Sequence, residues 1–291
     1  MTDTPKTLKA ILEASADYLS RHGVEEARLK SELLLARLLN CKRLELALRY
    51  GQALGEKHLE AMRRGVKRLA AGEPVQYILG QTEFMGHVFK VDKRALIPRP
   101  ETELLVEEVL GCASLWEGSP KPLVVDLGTG CGCIAISLAL ARPQGVYLAV
   151  DPSEEAIALA RENARALGAG DGVTFAPAEL ADCLEPEMAH GIAANLPYVR
   201  TAEWERLPVH IREHEPRAAL DGGASGLEVI ETAVQDAAIV LRPGGLIWLE
   251  IGADQGRAVS ELLEDSGFGQ IRVKPDAAGH DRVVSAALLP A

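Results

Sequence analysis

The sequence predicts a mixed α/β protein in which a small helical domain precedes a doubly wound parallel sheet. From residue 121 onward, short apolar runs alternate with helix-length segments, and strands separated in this way pair in parallel through right-handed crossovers. Before residue 71, leucines recur at i, i+3, i+4 and i+7 spacings with charged residues between them, which is typical of amphipathic helices packed on one another.

The individual elements follow from turn residues and periodicity. Gly23 and the segments 40–42 and 51–55 break the first helical region into a bundle. Aromatic and β-branched residues around Gly80 and Gly86 predict a short hairpin. In the rest of the chain we expect strands over 123–125, 146–150, 173–176, 191–194 and 246–251, helices over 134–141, 153–167, 227–241 and 255–266, and a final antiparallel strand pair over 271–273 and 283–288.

These patterns divide the chain into a helical bundle over residues 1–73, a β-hairpin linker over 74–97 and an α/β domain over 98–291. Pro98 and Pro100 mark the second boundary, because proline ends a preceding element and suits the first turn of the helix that follows. Nothing in the helical bundle suggests a catalytic site, so we expect the chemistry in the last part of the chain.

Composition restricts the class of protein. The 291 residues are 47% hydrophobic and 25% charged, which is close to the globular average and excludes wholesale disorder. No apolar run approaches the roughly 18 residues that span a bilayer, and the first residues lack the apolar core of a signal peptide. Five cysteines in a chain of this length argue against a disulfide framework. We therefore expect a soluble protein in a reducing cytoplasm.

The net charge of −11 is distributed unevenly. Residues 1–75 carry a net charge of +4, and residues 76–291 carry −15. An acidic catalytic domain is poorly suited to hold a polyanion, because lysine and arginine contacts to phosphate dominate nucleic-acid affinity. The basic residues between 57 and 68 form either a solvated helix face or a contact for an acidic macromolecule.

A glycine-rich loop directly follows the first predicted strand of the α/β domain. It reads Asp-Leu-Gly-Thr-Gly-Cys-Gly over residues 126–132, and its glycines allow a tight turn and close approach of the backbone to a ligand. A nicotinamide fingerprint is excluded because Cys133 occupies the position of its third glycine. Asp151 ends the next strand, where a carboxylate can accept hydrogen bonds from both hydroxyls of a ribose. Alone the loop would also suit a structural turn, but with Asp151 it resembles class I S-adenosylmethionine-dependent methyltransferases.

Cys131 and Cys133 do not predict a metal site. Two thiolates without further cysteines or suitably spaced histidines cannot complete a tetrahedral zinc site. We expect both side chains to pack at the start of the following helix.

A second motif, Asn195-Leu196-Pro197-Tyr198, follows the predicted strand at 191–194. It resembles the Asn-Pro-Pro-Tyr motif of amino-methylating class I enzymes, with Leu196 in place of the first proline. The Asn195 side-chain oxygen and the Leu196 carbonyl can each accept one N–H of a planar NH₂ group, which turns the nitrogen toward a methyl donor. Pro197 stiffens the loop and Tyr198 can stack on the flat group. The Leu196 replacement costs rigidity rather than a ligand, and no strong general base is required.

Longer segments resemble the PrmC/HemK family, whose members methylate the side-chain amide of the glutamine in the Gly-Gly-Gln motif of peptide chain release factors. The matching segments are Pro74-Val75-Gln76-Tyr77-Ile78-Leu79-Gly80, Glu83-Phe84, Leu96-Ile97-Pro98-Arg99-Pro100-Glu101-Thr102-Glu103, His214-Glu215-Pro216-Arg217-Ala218-Ala219-Leu220, Gly222-Gly223-x-x-Gly226-Leu227 and Gly279-His280-Asp281-Arg282-Val283-Val284. The resemblance implies a class I methyltransferase fold (a Rossmann-like sheet with a C-terminal antiparallel strand pair). It also implies that the N-terminal helices dock a release factor.

The resemblance also assigns site residues. The methionine part of S-adenosyl-L-methionine would lie on the loop Gly128, Thr129, Gly130, Cys131 and Gly132. Asp151 would bind its ribose, Glu179 and Leu180 its adenine, and Asn195 would contact both cofactor and substrate. Leu196, Pro197 and Tyr198 would complete the glutamine pocket, and S-adenosyl-L-homocysteine would be released. The family has an aromatic residue where this chain has Leu180.

Two other functions stay open at this point. The four-residue motif also occurs in nucleic-acid adenine N6-methyltransferases, although the acidic domain offers no phosphate track and no surface for base flipping. The leucines at 180 and 196 also allow a catalytically impaired module that binds release factors. The favoured hypothesis is a cytoplasmic protein glutamine methyltransferase with release factors as partners and with no membrane, metal or direct nucleic-acid substrate.

Overall fold

The computed structural model describes residues 7–179 and 184–290. The chain forms two compact units. One contains the residues up to Gly80 together with Pro208–His214, and the other contains Gln81–Leu207 and the residues from Glu215 onward. The predicted boundaries at 73/74 and 97/98, and the docking role of the first domain, stay predictions.

The first unit is helical, as the leucine spacing predicts. Its elements are α1 (Leu8–Arg21), α2 (Ala27–Leu38), a 3₁₀ helix (Arg43–Arg49), α3 (Glu56–Ala70), α4 (Val75–Leu79) and, much later in the chain, the short helix α10 (Val209–Arg212). Thr7 caps α1 by accepting a hydrogen bond from the Ala10 N–H at 3.3 Å. The leucine stripes form its core, in which Leu8, Leu19 and Leu35 are fully buried.

The second unit contains the sheet. Its helices are α5 (Pro100–Gly111), α6 (Ala113–Glu117), α7 (Cys133–Ala141), α8 (Glu154–Leu167), α9 (Thr201–Trp204), α11 (Glu228–Val240) and α12 (Gly256–Asp265). Its strands are β1 (Gln81–Phe84), β2 (His87–Lys90), β3 (Leu123–Leu127), β4 (Val146–Asp151), β5 (Val173–Pro177), β6 (Ala189–Ala194), β7 (Leu241–Glu250), β8 (Phe268–Pro275) and β9 (Asp281–Leu288). Strands β1 and β2 pair as a separate antiparallel hairpin.

Seven strands form one sheet in the order β5-β4-β3-β6-β7-β9-β8. The first five in this order are parallel, and β9 pairs antiparallel with both β7 and β8. Along the chain, the sheet begins with β3, is extended on one side by β4 and β5, and continues on the other side of β3 with β6. The predicted fold class is confirmed, and the change of direction leaves a crevice at the carboxyl ends of β3 and β6, where ligands bind in open α/β sheets.

Two element predictions need correction. The helix predicted over 227–241 ends at Val240, and β7 begins at once because Leu241 pairs with Ala189. Pro243 and two glycines lie inside β7, where the register with β6 shifts, so they form an irregular stretch of strand rather than a separate turn. Within the predicted hairpin linker, Val75–Leu79 form α4.

Within residues 7–179 and 184–290, no helix has the length and apolar character needed to cross a membrane.

Candidate active site

The two sequence motifs meet at the crevice because their strands are neighbours. Leu127, the last residue of β3, is in register with Ala194 at the end of β6 and with Val150 near the end of β4. The loops that begin at Gly128 and Asn195 therefore leave the same edge of the sheet side by side. Adjacent carboxyl ends of parallel strands explain why motifs so far apart in sequence share one site.

The glycine-rich loop needs its glycines for conformation and for space. Gly128, Gly130 and Gly132 have φ values of +69°, +56° and +85°, a region that costs other residues about 1–2 kcal/mol. A Cβ at Gly132 would lie 2.8 Å from the Ile136 Cδ1 and 3.1 Å from the Ala160 Cβ. The loop thus turns tightly against α7 and α8 and presents its backbone to the crevice.

Asp126 holds this loop from beneath. Its Oδ2 accepts hydrogen bonds from the Thr129 hydroxyl at 2.6 Å and from the Ala135 N–H at 3.0 Å. Its Oδ1 is buried without a hydrogen-bond partner in the described part of the chain. Burial raises the pKa of the Asp126 carboxyl to about 7, against the opposing effect of its two donors.

Asp151 lies at the end of β4, as predicted. Its Oδ2 accepts from the Gly130 N–H and its Oδ1 from the Ser153 N–H, both at 2.9 Å. These two bonds fix the carboxylate while leaving lone pairs on each oxygen. Burial raises the pKa of Asp151 above its usual range, and Ser153 caps α8 through the Ala156 N–H as the sequence predicts.

A cavity of about 620 Å³ connects these groups, a volume in the range of small-molecule sites. Most of the residues predicted to contact the cofactor or substrate line it, namely Gly128, Thr129, Gly130, Cys131, Asp151, Glu179, Asn195, Leu196 and Pro197. Gly132 turns the loop beneath the cavity without lining it. Tyr198 lines a smaller cavity of about 40 Å³ that shares Asn195 and Leu196 with the large one. Leu180 lies outside the described residues.

The groups around the cavity suit a ligand that combines a nucleoside with an amino acid. The fixed Asp151 carboxylate suits a ribose diol, and the glycine backbone admits a ligand at close range. These features fit S-adenosylmethionine. Cys131 and Cys133 are buried, and contact between the two thiols together with burial raises the pKa of Cys133, so the Cys133 thiol favours its protonated form.

The Asn195 side chain is held by a chain of hydrogen bonds. Its Nδ2 donates to the Thr102 Oγ1 at 3.0 Å, and the Thr102 hydroxyl donates to the Glu250 Oε2 at 2.6 Å. The Tyr198 hydroxyl donates to the Glu250 Oε1 at 3.3 Å. Burial raises the pKa of Tyr198 to about 12, so the phenol stays protonated. One carboxylate at the end of β7 therefore accepts directly from Tyr198 and is linked to Asn195 through Thr102.

Leu196 contributes more than a backbone carbonyl acceptor in this structure. Its side chain is 3% exposed and belongs to the core beneath the crevice, and a Cβ at Gly128 would lie 3.0 Å from its Cδ2. Packing against the glycine-rich loop restricts a position that proline would restrict by its ring. The sequence predicts a loss of rigidity here but does not reveal this contact.

Two glycines explain part of the segment at 222–227. A Cβ at Gly222 would lie 2.5 Å from the Pro197 carbonyl oxygen, and one at Gly226 would lie 2.6 Å from the Tyr198 carbonyl oxygen. The Gln255 Nε2 bridges this contact by donating to the carbonyls of Tyr198 and Gly226, each at 3.1 Å. The backbone of the motif is thus enclosed by residues that follow it by 25 to 60 positions.

Glu215 fixes the wall of the cavity formed by the proline-rich segment. Its side chain is fully buried, accepts from the Arg99 Nη2 at 2.6 Å and accepts from the Ile97 N–H at 3.1 Å. A buried carboxylate with a charged partner and a backbone donor meets the requirements for burial of charge. Two segments that the family resemblance links therefore meet physically.

Sequence reasoning missed Thr102, Glu250 and Gln255 as site residues. A signal existed for Glu250, because a carboxylate that directly follows the apolar run at residues 246–249 predicts a buried charge that needs partners. Thr102 lies in a segment that matches the family, but the resemblance assigns it no role. Gln255 had no signal in its local pattern.

Comparison with known proteins agrees with this geometry. A family described as the PrmC N-terminal domain matches residues 10–80, and one described as a methyltransferase domain matches residues 120–190. Among solved structures, the hMettl16 catalytic domain in complex with MAT2A 3′UTR hairpin 6 aligns with a TM-score of 0.56 and 16% identity. That alignment covers 74% of this chain and 82% of the other, and at this identity it indicates a shared fold alone.

Two bacterial relatives are much more similar. The release factor glutamine methyltransferase of Rhodopirellula baltica is 35% identical over 97% of both chains. That of Geobacter sulfurreducens is 39% identical over 98% of both chains. At this identity over nearly the full length, the chain belongs to the release factor glutamine methyltransferase family, and the predicted family, fold class and enzyme class are confirmed.

Proposed function

We propose that this chain transfers the methyl group of S-adenosyl-L-methionine to the side-chain amide nitrogen (N5) of the glutamine in the Gly-Gly-Gln motif of peptide chain release factors. The observation that carries the proposal is the position of Asn195, whose side chain borders both the large cavity and the small one. A group that enters the small cavity would meet a ligand in the large cavity at this residue.

Asn195 and Leu196 would hold the nitrogen that accepts the methyl group. The Asn195 Nδ2 is engaged by Thr102 at 3.0 Å, so its Oδ1 is the atom available to accept an N–H from the substrate. The Leu196 carbonyl would accept the second N–H. With both hydrogens fixed, the nitrogen would present its face to the large cavity, where the bound sulfonium supplies an activated methyl group.

Pro197 and Tyr198 would shape the rest of the glutamine pocket. Pro197 limits the conformations of the loop, and the Tyr198 ring offers a flat apolar surface whose hydroxyl is anchored on Glu250. The amide nitrogen carries two hydrogens before transfer and one after it, and solvent takes the proton that leaves.

The other predicted contacts are assigned as follows. Gly128, Thr129, Gly130, Cys131 and Gly132 would enclose the methionine part of the cofactor, Asp151 would bind the ribose hydroxyls, and Glu179 would accept from the adenine amino group. Thr129 is tied to Asp126 and Gly130 to Asp151. The cofactor contacts are therefore prearranged by the protein, which lowers the entropic cost of binding.

The first unit would dock the release factor. A basic cluster is exposed on α3, consisting of Lys57, Arg63, Arg64, Lys67 and Arg68. Arg63 pairs with Glu56 and Arg68 with Glu73, so acidic neighbours partly offset two of these five charges. Because release factors act in translation, the proposal places the enzyme in the cytoplasm.

The test is transfer of label from methyl-tritiated S-adenosylmethionine. The acceptors are an unmethylated release factor, its variant with alanine in place of the Gly-Gly-Gln glutamine, and a pool of DNA and RNA. Label on the intact factor alone would support both the reaction and the target residue. Label on nucleic acid would replace the substrate assignment with adenine methylation, and absence of label together with absence of cofactor binding would favour a binding module.

A further inference from the structure

We propose that Thr102 and Glu250 are positioning residues that determine which atom of the Asn195 side-chain amide faces the substrate. The inference rests on the proposed function and deepens it, because the amide clamp works only if the Asn195 oxygen points into the glutamine pocket. An asparagine amide has nearly the same shape in both orientations, so its hydrogen-bond partners must choose between them.

The choice follows from the direction of the hydrogen bonds. Thr102 has one hydroxyl proton and lies between the Asn195 Nδ2 at 3.0 Å and the Glu250 Oε2 at 2.6 Å. An ionised carboxylate can only accept, so the hydroxyl proton points to Glu250. The lone pairs of Thr102 are then directed to Asn195 and require the NH₂ end of the amide. The Oδ1 is left facing the cavities.

Water cannot substitute for this arrangement, because Thr102 is 2% exposed and Glu250 is 1% exposed. The second oxygen of Glu250 accepts from the Tyr198 hydroxyl, so the carboxylate has a donor on each oxygen. Burial raises the pKa of Glu250, while the hydroxyl donors and the positive charge of Arg282 on β9 favour the ionised form. A buried carboxylate that accepts from both of these hydroxyls keeps the Thr102 proton directed toward it.

Loss of the Glu250 charge would leave the Thr102 hydroxyl without a fixed direction in which to donate its proton. A glutamine at position 250 can present its NH₂ group to Thr102, which frees the threonine proton to bond to the Asn195 oxygen. The amide would then turn and present an N–H to the N–H groups of the substrate glutamine. Two donors that face each other hold no nitrogen in place, and a misoriented reacting group can cost about 100-fold in rate.

The experiment compares Thr102→Val, Thr102→Ser and Glu250→Gln with the wild type in steady-state methylation of a release factor. Valine keeps the shape of threonine without its hydroxyl, whereas serine keeps the hydroxyl. We expect Thr102→Val and Glu250→Gln to lose about 100-fold, chiefly in kcat, with a much smaller change in cofactor Kd. Thr102→Ser is expected to retain most of the wild-type kcat.

A second readout does not depend on turnover. The proton–nitrogen NMR signal of the Asn195 side-chain amide, assigned by its loss in Asn195→Asp, reports the hydrogen bond to Thr102. We expect this signal to shift in Thr102→Val and Glu250→Gln and to keep its position in Thr102→Ser. The Thr102→Val, Glu250→Gln double variant is expected to be little worse than either single variant, because both changes break one chain of bonds.

Wild-type kcat and an unshifted Asn195 signal in Thr102→Val would overturn the inference. Equal losses in Thr102→Val and Thr102→Ser would also overturn it, since packing rather than the hydroxyl would then matter. If Glu250→Gln does not fold, the valine and serine variants at position 102 decide the question alone. Failure of the proposed function is a separate result, because it would appear as absence of label transfer by the wild type.

Discussion

Two loops leave the same edge of the sheet and are held in place by different means. The glycine-rich loop after β3 is tied by carboxylates that are close in sequence, since Asp126 bonds to Thr129 and Ala135 and Asp151 bonds to Gly130. The Asn195 loop after β6 is tied by residues from α5, β7 and the segment after β7, which lie 50 to 95 positions away. The cofactor site is thus a local structure, and the proposed glutamine site depends on the assembled fold.

This difference predicts that changes in the two loops affect different steps. Damage to the glycine-rich loop should weaken cofactor binding, and damage to the supports of the Asn195 loop should slow transfer while the cofactor still binds. The Asn195 loop contacts the glycine-rich loop through Leu196, whose side chain packs beside Gly128.

The largest effect is expected for Asn195→Ala. Removing the amide removes one of the two acceptors that hold the substrate nitrogen, and loss of such a group costs about 1,000-fold in kcat. Cofactor Kd, measured by calorimetry, should change much less. Turnover close to that of the wild type would contradict the amide clamp.

Gly222→Ala is expected to lower kcat about 100-fold, because its Cβ would lie 2.5 Å from the Pro197 carbonyl oxygen and displace the loop. The matched variant in the glycine-rich loop is Gly132→Ala. Strain at φ +85° and contact with Ile136 should weaken its cofactor binding about tenfold. Parallel measurement of kcat and cofactor Kd separates the two. Identical effects of both variants would mean that the loops do not act independently.

Substitution of Tyr198 tests the surface of the glutamine pocket. Tyr198→Ala should raise the KM for the release factor by up to about tenfold, because it removes a ring whose stacking contributes about 0.5–1.5 kcal/mol. Tyr198→Phe keeps the ring and loses only the hydrogen bond to Glu250, so its KM should rise less. The ratio of the two KM values is the measurement, and equal increases would show that the hydroxyl rather than the ring is responsible.

The smallest expected effect is the pH dependence of folding stability that arises from Asp126. The pKa of Asp126 is raised by burial from its ordinary value near 3.8 to about 7, so the folded state binds a proton that the unfolded state releases. Its contribution to stability is complete below about pH 4 and is lost as the pH rises through about 7. Asp126→Asn mimics the protonated form.

The Tm of Asp126→Asn relative to that of the wild type should therefore increase between about pH 4 and pH 7. Thermal unfolding of both proteins across this range, without cofactor, measures the difference. A constant difference would show that Asp126 does not change its protonation with folding.

The sequence predicts the parts of the site that depend on local pattern. Glycines at 128, 130 and 132, followed by an acid at the next strand end, indicate the cofactor loop because the turn and its ligand contacts lie within a few residues. Periodicity also predicts the succession of strands and helices along the chain. The position of Asn195 beside this loop comes from the structure, in which β3 and β6 are neighbours at the point where the strand order reverses.

Local sequence pattern does not predict the residues that hold the Asn195 loop in place. Glu250 ends a buried strand and Thr102 lies in the first turn of α5, and their contact depends on how those elements pack. The burial of Leu196 against Gly128 likewise depends on the distance between two loops rather than on either sequence. Long-range packing decides these contacts, so local propensity carries no information about them.

The Asn195 clamp is proposed to direct methylation to one glutamine of a release factor. Mass spectrometry of the release-factor peptide that contains Gly-Gly-Gln, after reaction with the wild type and with Asn195→Ala, tests this directly. We expect the mass of one added methyl group on the glutamine side chain with the wild type and almost none with the variant. A methyl group on another residue, or equal modification by both proteins, would contradict it.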